Sequence, residues 1–201
     1  MSNIGLIVLA AGASTRMGTP KQLLMFRGRS LLRTMAEAAI ASCCDPVVVV
    51  LGSQIEQIKL EVHPLALHIV ENREWAKGMG NSIAAGMSTL TTINQNLDAV
   101  VVVLCDQPFV SSHLLDQLVE SYRATRSPIV ACAYANTLGV PALFDRSLFT
   151  ELMTINVNMG AKYLIKQLAE KVSLIPFPEG EIDVDTPAQY QQLLKGTMST
   201  I

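Results

Sequence analysis

Ala99-Val100-Val101-Val102-Val103-Leu104-Cys105-Asp106-Gln107-Pro108 is the stretch from which the fold can be read. Its six leading residues are apolar without polar alternation, the mark of a strand covered on both faces, as parallel strands between two helical layers are. Val47–Leu51 repeats the pattern, and Ile4–Ala10 opens the chain with a similar run. Stretches of helical period lie between such runs. Leu31–Ser42 carries apolar residues at a spacing of three to four, Ser53–Val62 has an Ile55, Ile58, Val62 stripe, and Asn81–Leu90 reads as a third helix. Ser111 or Ser112 can cap a helix running to about Arg126. Leu67–Val70, Ile129–Ala133 and Val172–Ile175 are shorter strands; further helices are expected around Gly160–Lys171 and after Asp185-Thr186-Pro187. The alternation predicts an α/β fold, a three-layer α/β/α doubly wound and mostly parallel sheet over residues 1–201 as a single domain. In such sheets ligands bind beyond the carboxyl ends of the strands, so the residues after Ala10, Leu51, Val70 and Leu104 matter most.

Composition narrows the function classes. Half of the 201 residues are hydrophobic and 16% are charged, which suits a folded core rather than disorder. Fifteen Lys and Arg against 17 Asp and Glu leave a formal charge of −2, without the basic surplus that nucleic-acid binding calls for. No uninterrupted apolar run is longer than Ala99–Cys105, far too short for a membrane span. Met1-Ser2-Asn3 lacks the basic opening of a secretory signal, and Cys43, Cys44, Cys105 and Cys132 show no CxxC spacing. Reduced thiols in a cytoplasmic protein are therefore expected.

Four stretches hold the candidates for chemistry. The loop Leu9-Ala10-Ala11-Gly12-Ala13-Ser14-Thr15-Arg16-Met17-Gly18-Thr19-Pro20-Lys21-Gln22 joins small residues to two cations, Arg16 and Lys21. Small residues let backbone N–H groups approach an anion closely. The spacing is neither GxGxxG nor GxxxxGK[ST], and the same residues could also form a plain turn with solvated basic side chains. Asp106, at the carboxyl end of a central strand, can hold Mg²⁺ or cap a turn. Trp75-Ala76-Lys77-Gly78-Met79-Gly80-Asn81-Ser82 places two glycines, Asn and Ser at a helix start, where they can meet a base, ribose or phosphate; Trp75 itself reads as a core anchor. Asp185 is well placed both to cap the last helix and to ligate a metal. His63, His68 and His113 are scattered, and no nucleophile–base set stands out.

Five segments, Leu9–Leu24, Trp75–Ile83, Leu104–Pro108, Gly139–Phe144 and Asp183–Tyr190, resemble in content and order the molybdenum cofactor nucleotidyltransferases (MobA-like NTP transferase domain). The branch most resembled is the molybdopterin cytidylyltransferases, whose first loop is similar to LAAG followed by SxRMGxPK. The resemblance implies a nucleotide-diphospho-sugar-transferase-like, Rossmann-like fold. It also implies transfer of CMP from CTP to molybdopterin, with Mg²⁺ and release of pyrophosphate. On that reading Leu9, Ala10, Ala11, Gly12, Ala13, Ser14, Arg16, Lys21, Gly80, Asn81 and Ser82 bind nucleotide, and Lys21, Arg16 and Asp106 are catalytic. Asp106 and Asp185 hold the metal, with Asp183 as the alternative to Asp185. Gly139-Val140-Pro141 matches a loop facing the acceptor. A molybdoenzyme is the implied recipient of the product. One string departs from the pattern: Val157-Asn158-Met159-Gly160-Ala161-Lys162 stands where GDxGAR is common, so a carboxylate and an Arg are missing. A phosphorylated sugar or alcohol as acceptor, and a non-catalytic nucleotide- or cofactor-binding partner of a molybdoenzyme, are the alternatives. Intact Lys21, Asp106 and Asp185 speak against the last.

Overall fold

The computed structural model describes residues 2–156 and 159–198. In chain order the elements are β1 (Ile4–Ala10), β2 (Met25–Phe26), β3 (Arg29–Ser30), α1 (Leu31–Ile40), β4 (Val47–Leu51), α2 (Ile55–Ile58), β5 (His68–Glu71), α3 (Met79–Ile93), β6 (Ala99–Leu104), α4 (Ser112–Thr125), β7 (Ile129–Tyr134), β8 (Thr137–Asp145), α5 (Phe149–Thr154), α6 (Ala161–Gln167), β9 (Val172–Pro176) and α7 (Pro187–Met198). Seven strands form one sheet in the order β5-β4-β1-β6-β8-β7-β9, while β2 and β3 make a separate small hairpin. Within the sheet β8 alone runs against its neighbours; β1, β4, β5 and β6 pair in parallel, and so do β7 and β9.

The unbroken valine runs are buried on both faces. Val47, Val49, Val101 and Val103 pack with α1 and α4 on one side, through Leu32, Met35, Leu115 and Leu118. Val48, Val50, Val100 and Val102 pack with α3, α5 and α6 on the other, through Ile83, Met87, Leu152 and Ile165. This is the expected three-layer arrangement. Ser30 caps α1 by accepting from the Arg33 amide at 3.1 Å, and Ser111 caps α4 by accepting from the Leu114 amide at 3.3 Å. A third cluster, Met17, Phe26, Leu31, Val184 and Leu193, clamps α7 onto the β2–β3 hairpin. The Tyr190 hydroxyl adds a bond to the Met25 carbonyl at 2.8 Å.

Three expectations need revision. Gly139-Val140-Pro141, read as a loop, lies inside β8, buried next to β6. Pro141 is tolerated because the β7–β8 register jumps from Ala131↔Ala142 to Cys132↔Gly139, leaving Val140 and Pro141 in the irregularity where no ladder N–H is required. The segment Ser53–Val62 is a single helical turn, Ile55–Ile58, continued by a 3-10 turn. Thr186, not Asp185, caps α7: its hydroxyl accepts from the Gln189 amide at 3.3 Å, while Gln189 Oε1 accepts from the Asp185 amide at 3.2 Å. Of the departing string, Val157 and Asn158 lie outside the described residues.

Candidate active site

The carboxyl ends of β1 and β6 meet at one crevice. The first loop leaves β1 after Ala10 and folds over itself: Ser14 is in the left-handed region (φ 54°), and its carbonyl accepts from the Met17 and Gly18 amides at 2.9 and 3.2 Å. Gln22, fully buried, fastens this loop from beneath. Its Nε2 donates to the Ala10 and Gly12 carbonyls at 2.8 and 2.9 Å, and the Ser14 hydroxyl bonds Gln22 Oε1 at 3.3 Å. The Lys21 amide in turn donates to Ser14 Oγ at 3.0 Å, which sets the direction of the Lys21 side chain. Opposite Gly12 there is open space. Gly52, just past β4, is required by close approach: a Cβ there would stand 2.6 Å from the Ala11 carbonyl and 2.5 Å from Trp75 Cβ. Trp75 packs partly buried against the core, the anchor role expected of it.

Lys21 joins two carboxylates that the sequence keeps far apart. Its Nζ donates to Asp106 and, at 2.9 Å, to Asp185 Oδ1; Arg16 reaches the other Asp185 oxygen at 2.6 Å. Burial works against the Lys21 charge, but Asp106 and Asp185 outweigh it and hold the ammonium well above its ordinary range. Burial likewise resists ionisation of Asp185, yet Lys21 and Arg16 keep its carboxyl below the usual carboxylate range. Asp183 goes the other way, raised by burial and by the neighbouring Asp185 and Asp106 charges. The backbone ties these parts together, with the Val184 amide donating to the Asp106 carbonyl at 3.2 Å. Because Thr186 takes the cap, both Asp185 oxygens are available to the cations.

A cavity of about 310 Å³ opens here, lined by Leu9, Ala11, Gly12, Lys21, Trp75, Ser82 and Asp106 among others. Past Leu104 and Met79 lies a second, of about 400 Å³, reaching Gln107, Val140, Lys162 and Asp183. Three buried side-chain atoms lack a hydrogen-bond partner among the described residues: Asn81 Oδ1, Asp106 Oδ1 and Gln107 Oε1. All three are oxygens on residues at this end of the sheet; Asp106 lines the first cavity and Gln107 the second. The α3 helix begins beside it at Gly78 with no side-chain cap on its first amides. The remaining predicted residues are placed less directly. Gly80 turns its bare Cα to Asn156, whose carbonyl a Cβ would meet at 2.5 Å, and the Ser82 hydroxyl accepts from Asn72 Nδ2 at 3.1 Å. Gln22, Gly52, Asn72 and Gln107 received no role from the sequence; Gln22 and Gln107 stand inside the quoted motifs, but as neutral amides they carry no signal of burial.

Residues 6–172 match the family described as MobA-like NTP transferase domain. The chain belongs to that family. This MobA-like chain is 34% identical to the nicotine blue oxidoreductase of Paenarthrobacter nicotinovorans, covering 94% of the chain and 95% of the relative. It is 28% identical to the purine catabolism protein PucB of Bacillus subtilis, with 93% and 94% covered. Among solved structures, the manganese complex of Rv0371c from Mycobacterium tuberculosis H37Rv superposes with a TM-score of 0.77 at 26% identity, over 96% of this MobA-like chain and 99% of that one. The chain is thus a transferase-family member with a Rossmann-like α/β fold. Among the described residues no helix is long and apolar enough to cross a membrane.

Proposed function

We propose that this MobA-like nucleotidyltransferase moves CMP from CTP to the terminal phosphate of molybdopterin, releasing pyrophosphate, with Mg²⁺ held by Asp106 and Asp185. The carrying observation is the meeting of Lys21, Arg16, Asp106 and Asp185 at the mouth of a cavity floored by the first loop. The fit to a hard divalent cation rests on the donors: two carboxylates that already share a cationic partner, one with a buried unpartnered oxygen. The manganese complex of the mycobacterial relative supports an ion of that kind. Bound there, Mg²⁺ would supply charge neutralisation at the α-phosphate.

The chain's own groups supply the rest. Lys21 and Arg16, with the loop amides, meet the charge that grows on the departing pyrophosphate. The acceptor phosphate is anionic near neutral pH and needs no general base, in keeping with the lack of His on either cavity wall. Ala11, almost fully buried at the loop floor, narrows the space beside which the base must lie and favours a pyrimidine. One domain comprising residues 1–201, acting in the cytoplasm and delivering to a molybdoenzyme, goes with this reading.

An oxidoreductase is the second reading, carried by the name of the Paenarthrobacter relative. The first loop lacks the GxGxxG spacing with which dinucleotide cofactors are cradled, and the paired carboxylates would have no part in hydride transfer. Pyrophosphate release with CTP, GTP or ATP, Mg²⁺ and molybdopterin tests the proposal. CTP should be preferred roughly 10–200-fold over GTP, the range a methylene-sized difference in shape yields, and Ala11→Gly should relax it. GTP used as well as CTP would remove the cytidylyl assignment. Asp106→Asn should lower turnover about a thousandfold, since metal assistance contributes several kcal/mol. Near wild-type release by that variant at saturating Mg²⁺ would sink the metal site.

A further inference from the structure

Asp106 and Asp185 present four carboxylate oxygens, and the surrounding chain divides them. Asp106 Oδ1 is buried. Asp185 Oδ2 accepts from Arg16 at 2.6 Å. The two that remain, Asp106 Oδ2 and Asp185 Oδ1, both accept from Lys21 Nζ, the second at 2.9 Å. A divalent ion shared by the two carboxylates therefore calls for the same pair of oxygens that Lys21 holds. Ammonium and ion cannot take them together, because two cations at contact distance repel.

The surroundings give the ammonium somewhere else to go. The Lys21 amide is fastened to Ser14 Oγ at 3.0 Å, so the backbone stays put while the four-carbon stem can turn. Lys21 also lines the cavity of about 310 Å³ above the first loop, and opposite Gly12 there is open space. Arg16, bonded to the other Asp185 oxygen, keeps that carboxylate in place when Lys21 lets go. A hard divalent cation prefers such oxygens and carries twice the charge of an ammonium. We propose that Lys21 is a displaceable counter-ion: its ammonium holds the two oxygens until a divalent cation takes them, then turns into the cavity toward the phosphates of the nucleotide. This rests on the reading of Asp106 and Asp185 as the metal ligands.

Two measurements without nucleotide test it. Titration with Mn²⁺, read by loss of the free ion's paramagnetic resonance signal, compares wild type with Lys21→Met and Arg16→Met. Lys21→Met should bind Mn²⁺ about tenfold more tightly, because the ion no longer has to displace a partly buried cation. Arg16, 70% exposed and bonded to one carboxylate alone, is the control for general loss of positive charge, and its removal should tighten binding only about twofold. The second measurement needs no variant. In wild type, Lys21 is 16% exposed between its partners, and Mg²⁺ should increase its acylation by an activated ester, followed by mass spectrometry against the exposed Lys171. Equal Mn²⁺ affinity in wild type and Lys21→Met, or an equal gain in both variants, overturns the displacement while leaving the metal reading intact. Acylation of Lys21 unchanged or lowered by Mg²⁺ does the same. Mn²⁺ bound by none of the three proteins overturns both.

Discussion

Removing the ammonium of Lys21 leaves Asp106 and Asp185 facing one another with only Arg16, largely exposed, to neutralise them. Lys21→Ala should therefore destabilise the metal-free protein by about 2 kcal/mol, between the values for exposed and fully buried pairs. Mg²⁺ should restore more stability to the variant than it adds to the wild type, since the ion takes the place of the lost charge. Thermal unfolding in EDTA and in Mg²⁺ checks this; an equal metal effect on both proteins would place the ion elsewhere. On the proposed reading, in which the Lys21 charge meets the departing pyrophosphate, turnover should fall more than CTP affinity. Charged residues at strand ends were legible in the sequence for a physical reason: in a chain with 16% charge, an Asp closing a run of valines stands out. Gln22 and Gln107 were not, because a neutral amide is written alike whether it is solvated or fully enclosed. Gln22→Leu should orphan the Ala10 and Gly12 carbonyls, cost about 2 kcal/mol, and weaken CTP binding by loosening the loop. Urea unfolding and calorimetric titration with CTP measure the two effects.

At the scale of elements, the strands and helices whose pattern ran unbroken were readable, and the interrupted ones were not. Gly139 and Pro141 carry the punctuation of a loop, and only the register jump against β7 explains how they sit inside β8. The brevity of α2 follows from packing, since only Ile58 of that turn is buried. β8 ends at Asp145, whose carboxylate accepts from the Tyr122 hydroxyl at 2.6 Å and from the Ser147 amide and hydroxyl at 2.9 and 2.7 Å. Burial works against the charge, but these donors hold Asp145 below the usual carboxylate range. The native state then binds this proton more weakly than the unfolded chain does. The resulting stability is complete above the ordinary Asp value of about 3.9 and is lost as pH falls through the lowered native value. Asp145→Asn should unfold more easily than wild type in urea at pH 7, with the gap closing in acid. A constant gap across pH would mean that the charge of Asp145 contributes nothing.

The whole molecule brings residues 16 and 185 together by folding its last helix back over its first loop. Val184, Leu193 and Tyr190 seat α7 against Met17, Phe26 and Leu31, and Asp185 is delivered by that packing. Leu193→Ala should cost about 2–5 kcal/mol, as buried leucine truncations do, and should weaken Mg²⁺ affinity more than CTP affinity. Calorimetry with each ligand separates the two; equal losses would show that α7 supports the whole crevice rather than the proposed metal site.

One feature of the sheet reaches beyond the finished site. Residues 47–51 and 100–104 are the same pentapeptide, Val-Val-Val-Val-Leu, and they lie in parallel on opposite sides of β1, Val47 beside Leu6 and Val100 beside Gly5. A newly collapsing chain thus holds two interchangeable strands for two berths. An all-valine strand buried on both faces also loses little by sliding one residue, because no polar side chain is turned inward by the slip. Correct placement is left to the ends of the runs, where Pro46, Gly52, Asp98 and Asp106 differ, and to the handedness of the crossovers. Asp106, at the mouth of the candidate site, therefore also tells one copy from the other. The early copy settling in the late copy's place is the mispairing that this repeat allows, and a slow refolding phase shortened by a polar substitution in one copy would reveal it.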